Sequence, residues 1–209
     1  MKPAMASATL ADIKTHTRRI VAGCENAKWE AGPCFIRDPG THWNIGGKAV
    51  QCPYGGKGDQ LWVRESYFEF GHWEPVEGVK TKCGRQKWRF VADSKEVFYK
   101  PVRAKHPVCR PKDNPGVPAI YKRLARFMPR ALSRITLEIT EIRIERLNDI
   151  SADDCRAEGH PKSDRPFTKE AHDDAARDWY MDLWESINGP GSWAKNPLVW
   201  IIVFRRIAA

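Results

Sequence analysis

Between Ile135 and Leu147 the apolar residues alternate, and part-way along the alternation changes phase. Ile135, Leu137 and Ile139 occupy odd positions, separated by Thr136, Glu138 and Thr140. Ile142 and Ile144 then carry the apolar face on even positions, and Leu147 returns to odd. A period of two in β-branched residues predicts a strand. A slip of one residue would turn the apolar set to the wrong face, so the change of phase predicts a bulge or sharp bend at Thr140–Glu141. Small closed barrels need such corners. The segment that follows has another grammar. Ser151 with Asp154 three residues on reads as a capping box, and Gly159 suits a helix C-terminus, which predicts about two helical turns delivering Glu158 at their end.

The last apolar run, Leu198–Phe204, predicts a buried central strand, the final one of the sheet. Ala176, Trp179, Tyr180, Leu183, Trp184 and Ile187 make one stripe of a helix over 169–187, capped by Thr168 and stopped by the glycines of 188–191. A short helix is expected over 6–13 and a strand over Gln60–Phe68. Glu65 in that strand falls on the face of Leu61 and Val63, which suits a carboxylate at the mouth of a cavity. Residues 23–58 read as a long loop pinned by Trp29, Trp43 and Tyr54, with a hairpin around Cys34–Ile36 and Gly-Gly turns at 46–47 and 55–56. Residues 71–118 read as an excursion with a hairpin of Lys87–Phe90 against Val97–Tyr99, then stiffened, proline-rich chain from Pro101 to Pro118. A short helix is expected after Pro118, with Ile120, Leu124 and Phe127 inward and Lys122, Arg123 and Arg126 outward.

Charge is uneven along the 209 residues. The formal net charge is +9, yet residues 80–134 hold 16 Lys/Arg against three Asp/Glu, a balance of +13. Residues 138–182 hold 13 acidic and seven basic residues, a balance of −6. Aromatics interleave with the basic stretch at Trp88, Phe90, Phe98, Tyr99, Tyr121 and Phe127, which favours a nucleic acid partner, RNA or single-stranded DNA. No signal-peptide pattern and no apolar run of membrane length is present, so a cytoplasmic protein with reduced thiols and no membrane partner is expected. The six cysteines form no CxxC or CxxxC pair, and no DxD or HExxH motif occurs. No cofactor and no metal is therefore assigned; Cys24, Cys34, His42 and Cys52 could be joined only by folding. Nothing in the residues bears on oligomeric state.

KTHTRR, residues 14–19, packs three fixed positive charges, His16 and two hydroxyls into six positions. In extended chain Lys14, His16 and Arg18 share one face and Thr15, Thr17 and Arg19 the other, whereas a turn at the start lets Lys14 and Thr17 converge. The run resembles the Lys-Thr-x-Thr-Arg signature of the ASCH-domain family. GDQLWVRE, FMPRALSRITLEIT, the AEG at 157–159 and NPLVWIIVF follow in the order expected of that family. The resemblance covers most of 1–23, 58–68, 127–159 and 179–206 and is to the longer, phage- or prophage-encoded branch. A glycine commonly precedes the family's lysine, and here Ile13 stands in its place.

The resemblance implies an α+β fold: one PUA-like small β-barrel domain over 1–209 with flanking helices and loop insertions at about 24–57 and 71–118. It also implies a site. Small bacterial members are amidohydrolases that deacetylate N4-acetylcytidine, and their catalytic lysine, threonine and glutamate match Lys14, Thr17 and Glu158. An N4-acylated cytosine nucleoside, or a related modified nucleobase, is the substrate so implied, cleaved without metal. Other members are nucleases or binding modules, so a nuclease and a non-catalytic binder of RNA or single-stranded DNA stay open. In the hydrolytic reading a neutral Lys14 amine attacks the amide or deprotonates Thr17 or water, and Glu158 relays the proton. Arg18, Arg19, His16 and Arg130 are candidates for holding phosphate or an oxyanion. Trp62 is the candidate for stacking on the base, and Glu65 completes the candidate binding set.

Overall fold

In the computed structural model the structure describes residues 3–24, 42–45, 48–100, 116–161 and 168–207. The chain divides into two compact units, one of Ala4–Trp62 with Ile135–Ala209 and one of Val63–Arg134 with Met1–Pro3.

The discontinuous unit is built on an antiparallel sheet of four strands. These are β1 (His16–Ile20), β4 (Gln60–Trp62), β8 (Thr136–Arg146) and β9 (Leu198–Ile207), in the order β1-β9-β8-β4. Among the described residues this sheet is a partly curled half-barrel flanked by helices, and the class is α+β, as expected. β9 is central, as its continuous apolar run predicts: Val199 and Ile201 are buried on one face, Trp200, Ile202 and Phe204 on the other. The phase change in β8 is a bulge. Ile139 pairs with Phe204 and Glu141 with Val203, so Thr140 is the extra residue. The bulge lets Ile139 before it and Ile142 and Ile144 after it enter one core with Trp200 and Ile202. The second hairpin of this core, β2 (His42–Ile45) with β3 (Lys48–Gln51), stands where loop was expected. Trp43 and Ile45 alternate inward from it, and the Trp43 ring meets Trp200 edge-on at 6.0 Å. Four residues per strand are too few to declare a period in a run this rich in glycine. The expected hairpin at Cys34–Ile36, Trp29, the 46–47 turn and the prolines from 101 to 115 lie outside the described residues.

The opposite face of the sheet is covered by helices. α1 (Pro3–Leu10) starts and ends three residues earlier than the expected 6–13. The Ser151 hydroxyl accepts from the Asp154 N–H and starts α2 (Ala152–Ala157), which ends on Glu158 and on Gly159 at φ +105°. Thr168 caps α3 (Lys169–Asn188), and Gly189 at φ +96° ends it. Ala176, Tyr180 and Trp184 of the predicted stripe are buried with Leu147, Ile150, Cys155, Val199 and Ile201, while Ile187 at the end of the stripe is exposed. Arg177 clamps α3 to the approach of α2, donating twice to the Ile150 carbonyl at 3.1 and 2.8 Å.

The inserted unit is a three-stranded antiparallel sheet, β6-β5-β7. β5 (Tyr67–Lys80) and β6 (Gln86–Phe98) form one long hairpin closed by a turn around Gly84. The expected small hairpin inside 87–99 is corrected: Lys87–Phe90 pairs with residues 73–75 of β5 and its flanks, and Ala92 lies within β6, opposite Gly71. The expected helix after Pro118 is also corrected. Ala119–Arg123 is strand β7, burying Ile120 and Tyr121, and two 3₁₀ turns, Ala125–Phe127 and Arg130–Leu132, follow it. An edge of β5 in need of a partner outweighs a weak helical spacing here. Gly71 is required where β5 and β6 meet, since a Cβ there would stand 2.2 Å from the Val91 carbonyl oxygen. The strand expected over Gln60–Phe68 is two pieces, β4 and the start of β5. Glu65 lies between them, buried, and Arg134 holds it with two bonds of 2.8 and 2.9 Å. That pairing satisfies the buried carboxylate in its apolar phase.

Candidate active site around Lys14 and Glu158

Lys14 enters β1 from the turn after α1. Its backbone N–H donates to the Ala8 carbonyl, and the Thr15 N–H donates to the Ala157 carbonyl at 2.8 Å. These bonds bring the start of β1 against the end of α2. Gly159 permits the approach, with its positive φ and with open contact where a side chain would meet Ala8 and Lys14.

The Lys14 ammonium is 5% exposed and its partner Glu158 3%. Lys14 Nζ donates to Glu158 Oε2 at 2.6 Å, to the His16 carbonyl at 2.7 Å and to the Glu158 carbonyl at 2.9 Å. All three N–H groups of the ammonium are therefore used. Burial pulls the Lys14 pKa below the ordinary lysine value, against the opposing attraction of Glu158, while the positive charges of Arg19 and Arg18 pull the same way as burial.

Extended geometry puts Lys14, His16 and Arg18 on the helix-covered face, as strand alternation predicts. Arg18 Nη2 donates to Asp154 Oδ2 at 2.7 Å, and Nη1 to Glu158 Oε1 at 3.4 Å. Its Nε is buried with no hydrogen-bond partner, and its Cζ lies 5.9 Å from the centre of the Tyr180 ring. Arg143 reaches the same Asp154 carboxylate at 3.0 Å and holds Glu145 at 2.6 Å. Burial pushes the Asp154 carboxyl upward, but Arg18 and Arg143 outweigh it and hold the group below its ordinary value. His16 stands 3.9 Å from Asp154, and burial still depresses its pKa, so the neutral imidazole is the favoured form. Its Nδ1 is 2.9 Å from the Thr15 hydroxyl. Burial drives the Tyr180 phenol far up and the Cys155 thiol to about 11, so both stay protonated at neutral pH.

Three cations (Lys14, Arg18, Arg143) thus face the carboxylates of Glu145, Asp154 and Glu158, and Arg143 also stands 3.8 Å from Glu141. The remaining predicted residues are distributed differently. Thr17 lies opposite Ile202, one step out of phase with Arg18, so alternation assigns it to the other face of the sheet. Arg19 is exposed. Trp62 ends β4, half-buried opposite Thr136. Glu65 and Arg130 belong to the inserted unit, Arg130 exposed at the start of a 3₁₀ turn.

Asp154, Arg143, Glu145 and Tyr180 were absent from the sequence-derived site. The signal for Arg143 and Glu145 was present: once Thr140 is bulged out, both fall on the face opposite Ile142 and Ile144. Asp154 was read only as a helix cap, a role its backbone N–H fulfils while its carboxylate serves the arginines. Among the described residues no group of three or more His, Cys, Asp or Glu is placed to hold a metal ion, and no helix is long and apolar enough to cross a membrane. No protein-family model, no curated protein and no solved structure matches the chain.

Proposed function

We propose that the chain is an amidohydrolase of ASCH type on a PUA-like scaffold, acting on an N4-acylated cytosine nucleoside or a related modified nucleobase. The observation that carries the reading is the hydrogen-bond inventory of Lys14 Nζ. Two of its hydrogens go to backbone carbonyls and one to Glu158 Oε2. The same geometry serves a neutral amine, which donates to the two carbonyls and accepts from a protonated Glu158. One proton can therefore cross a single 2.6 Å bond with no other group moving. Burial brings the two protonation states closer in energy, as an acid–base relay at neutral pH requires.

In this reading the Glu158 carboxylate takes a proton from water as the water oxygen bonds to the acyl carbon. The bond from that carbon to N4 breaks, N4 takes a proton from the Lys14 ammonium, and Glu158 returns its proton to Lys14. Atoms and charge balance, giving a free amine and a carboxylic acid. Lys14 acts as acid rather than nucleophile, because its lone pair in the neutral state is held by Glu158. Arg18 and Asp154 are positioning residues: Arg18 holds Glu158 Oε1, and Asp154 holds Arg18. Thr17 takes no step in this scheme.

The test is hydrolysis of N4-acetylcytidine by the purified chain, followed as cytidine and acetate by chromatography, with Lys14→Ala and Glu158→Gln alongside and circular dichroism checking that each is folded. Turnover that falls about a hundredfold or more in both folded variants is expected. No turnover above buffer by the wild-type chain overturns the reading.

A further inference from the structure

The inserted unit carries a second feature that the Lys14 cluster does not use. Odd positions of β5 share a face with the residues opposite them. Trp73 lies opposite Phe90, Pro75 opposite Trp88, Glu69 opposite Tyr121 and Tyr67 opposite Arg123. One face of this sheet is thus a row of rings. Trp73, Phe90 and Tyr121 meet edge-to-face at 5.4 to 6.3 Å, which uses their edges to pack the row together. Arg123 lies across them, its Cζ 4.1 Å from the Phe90 centroid, 5.2 Å from Trp73 and 5.7 Å from Phe127. Arg126 covers Phe127 in turn at 4.9 Å.

Two rings of this assembly stay open to solvent: Trp88 is 40% exposed and Phe127 54%. An exposed aromatic pair on a sheet face rimmed by cations is the pattern of an interaction surface. The charge beside them is equally one-sided. Lys80, Lys82, Arg85 and Lys87, around the hairpin turn, form no ion pair among the described residues, whereas Arg89 is held by Glu74. The whole 80–134 stretch has 16 cations and three carboxylates. Arg89, Arg123 and Arg134 of this stretch pair with Glu74, Glu69 and Glu65, and the cations of the hairpin turn do not.

We infer that this face of the β5–β6–β7 sheet binds single-stranded nucleic acid, with unpaired bases stacking on Trp88 and Phe127 and phosphates meeting Arg126 and the cations of the hairpin turn. Open ring faces match bases that are unstacked, which a duplex does not offer, and the exposed Arg126, seated on Phe127, is placed to meet phosphate, while the half-buried Arg123 is turned to Glu69. RNA and single-stranded DNA share this chemistry. The inference is independent of the hydrolytic reading.

The experiment is fluorescence anisotropy of the full chain with labelled oligouridine, oligothymidine, a DNA duplex, and vesicles of anionic lipid, over a range of salt. Binding to both single strands is expected, with a preference between them reporting contact to the 2′-hydroxyl. Trp88→Ala and Phe127→Ala are expected to weaken it about fivefold or more each, and Trp88→Phe to restore most of the loss. Lys82→Glu with Lys87→Glu should lower the slope of affinity against salt. A chain that binds the single strands but does not turn over N4-acetylcytidine refutes the hydrolase and keeps this surface. Alanine variants that melt like the wild type and bind as well as it overturn the inference, as does equal or tighter binding to duplex, or binding to vesicles alone.

Discussion

Arg18 and Arg143 stand in one cross-strand row, each opposite Ile201 of β9, and both close on the carboxylate of Asp154. Ile201 is fully buried between them in sequence register, so the apolar strand sets the spacing at which two guanidinium groups share one acid. Arg18, which holds Glu158 Oε1, is in this way fixed by the sheet and by Asp154 of α2, while Lys14 holds Glu158 Oε2 from the turn that leads into β1. Such a placement supplies the rigidity that an acid–base pair needs.

Glu158→Gln should destabilise the chain by about 3–5 kcal/mol, because it leaves the Lys14 charge buried beside two carbonyls and no carboxylate. The double variant Lys14→Met, Glu158→Leu should be more stable than Glu158→Gln alone, since no charge is then buried at this point. Urea unfolding followed by circular dichroism measures both. A Glu158→Gln chain within about 0.5 kcal/mol of wild type would show that the pair is not closed to solvent.

Acid should loosen the discontinuous unit in two stages. His16 binds its proton less readily folded than unfolded, so the unfolded chain holds more protons and stability rises with pH. Its contribution is complete above the ordinary value of 6.5, begins to fall below it and is lost as pH drops through the depressed folded value. Asp154 is depressed below 3.8, so its contribution is lost only at more acid pH, as its folded value is crossed. Asp154→Asn removes the attraction that opposes burial at His16 and should lower the His16 pKa further. A proton NMR titration of the ring gives the answer, and an unchanged or raised value would refute the electrostatic account.

Deleting Thr140 should abolish folding of the discontinuous unit, while Thr140→Ser should change stability by under about 1 kcal/mol. Without the extra residue, either Ile139 or the pair Ile142 and Ile144 must leave the core they share, and Arg143 and Glu145 turn inward with them. Yield of soluble chain and thermal melting distinguish the two variants; a deletion that melts normally would mean the register can slip.

What could be read from the residues divides along physical lines. The bulge, the Ser151 cap, the Thr168 cap, the placement of β9 and the delivery of Glu158 by α2 depend on local rules, and each stands where its residues point. The pairing of β5 with β6 was missed because thirteen residues of β6 alternate poorly, its rings and cations occurring on exposed and half-buried positions alike. β7 was missed because Ile120, Leu124 and Phe127 imitate a helical stripe, and only the free edge of β5 decides against it. In the candidate site, Lys14, His16 and Arg18 were legible as one face of a strand. Asp154, Arg143 and Tyr180 were not, since they reach that face from three other elements and no spacing rule links them to residues 14–18.

The central position of β9 has a consequence for the order of assembly. His16 pairs with Val203, a separation of 203 − 16 = 187 positions, and β8 also finds its longest partner in β9. Among the described residues β1 pairs in its sheet with β9 alone, so during synthesis it has no strand partner until residues 198–207 leave the ribosome. The hairpin of β5 and β6, joined by a short turn, can close long before that. The nascent chain therefore carries one unit able to form and one held waiting, its apolar strands open to any other partner in the interval. Coexpressed chaperones, rather than changes to the core, are the lever on yield that this topology indicates.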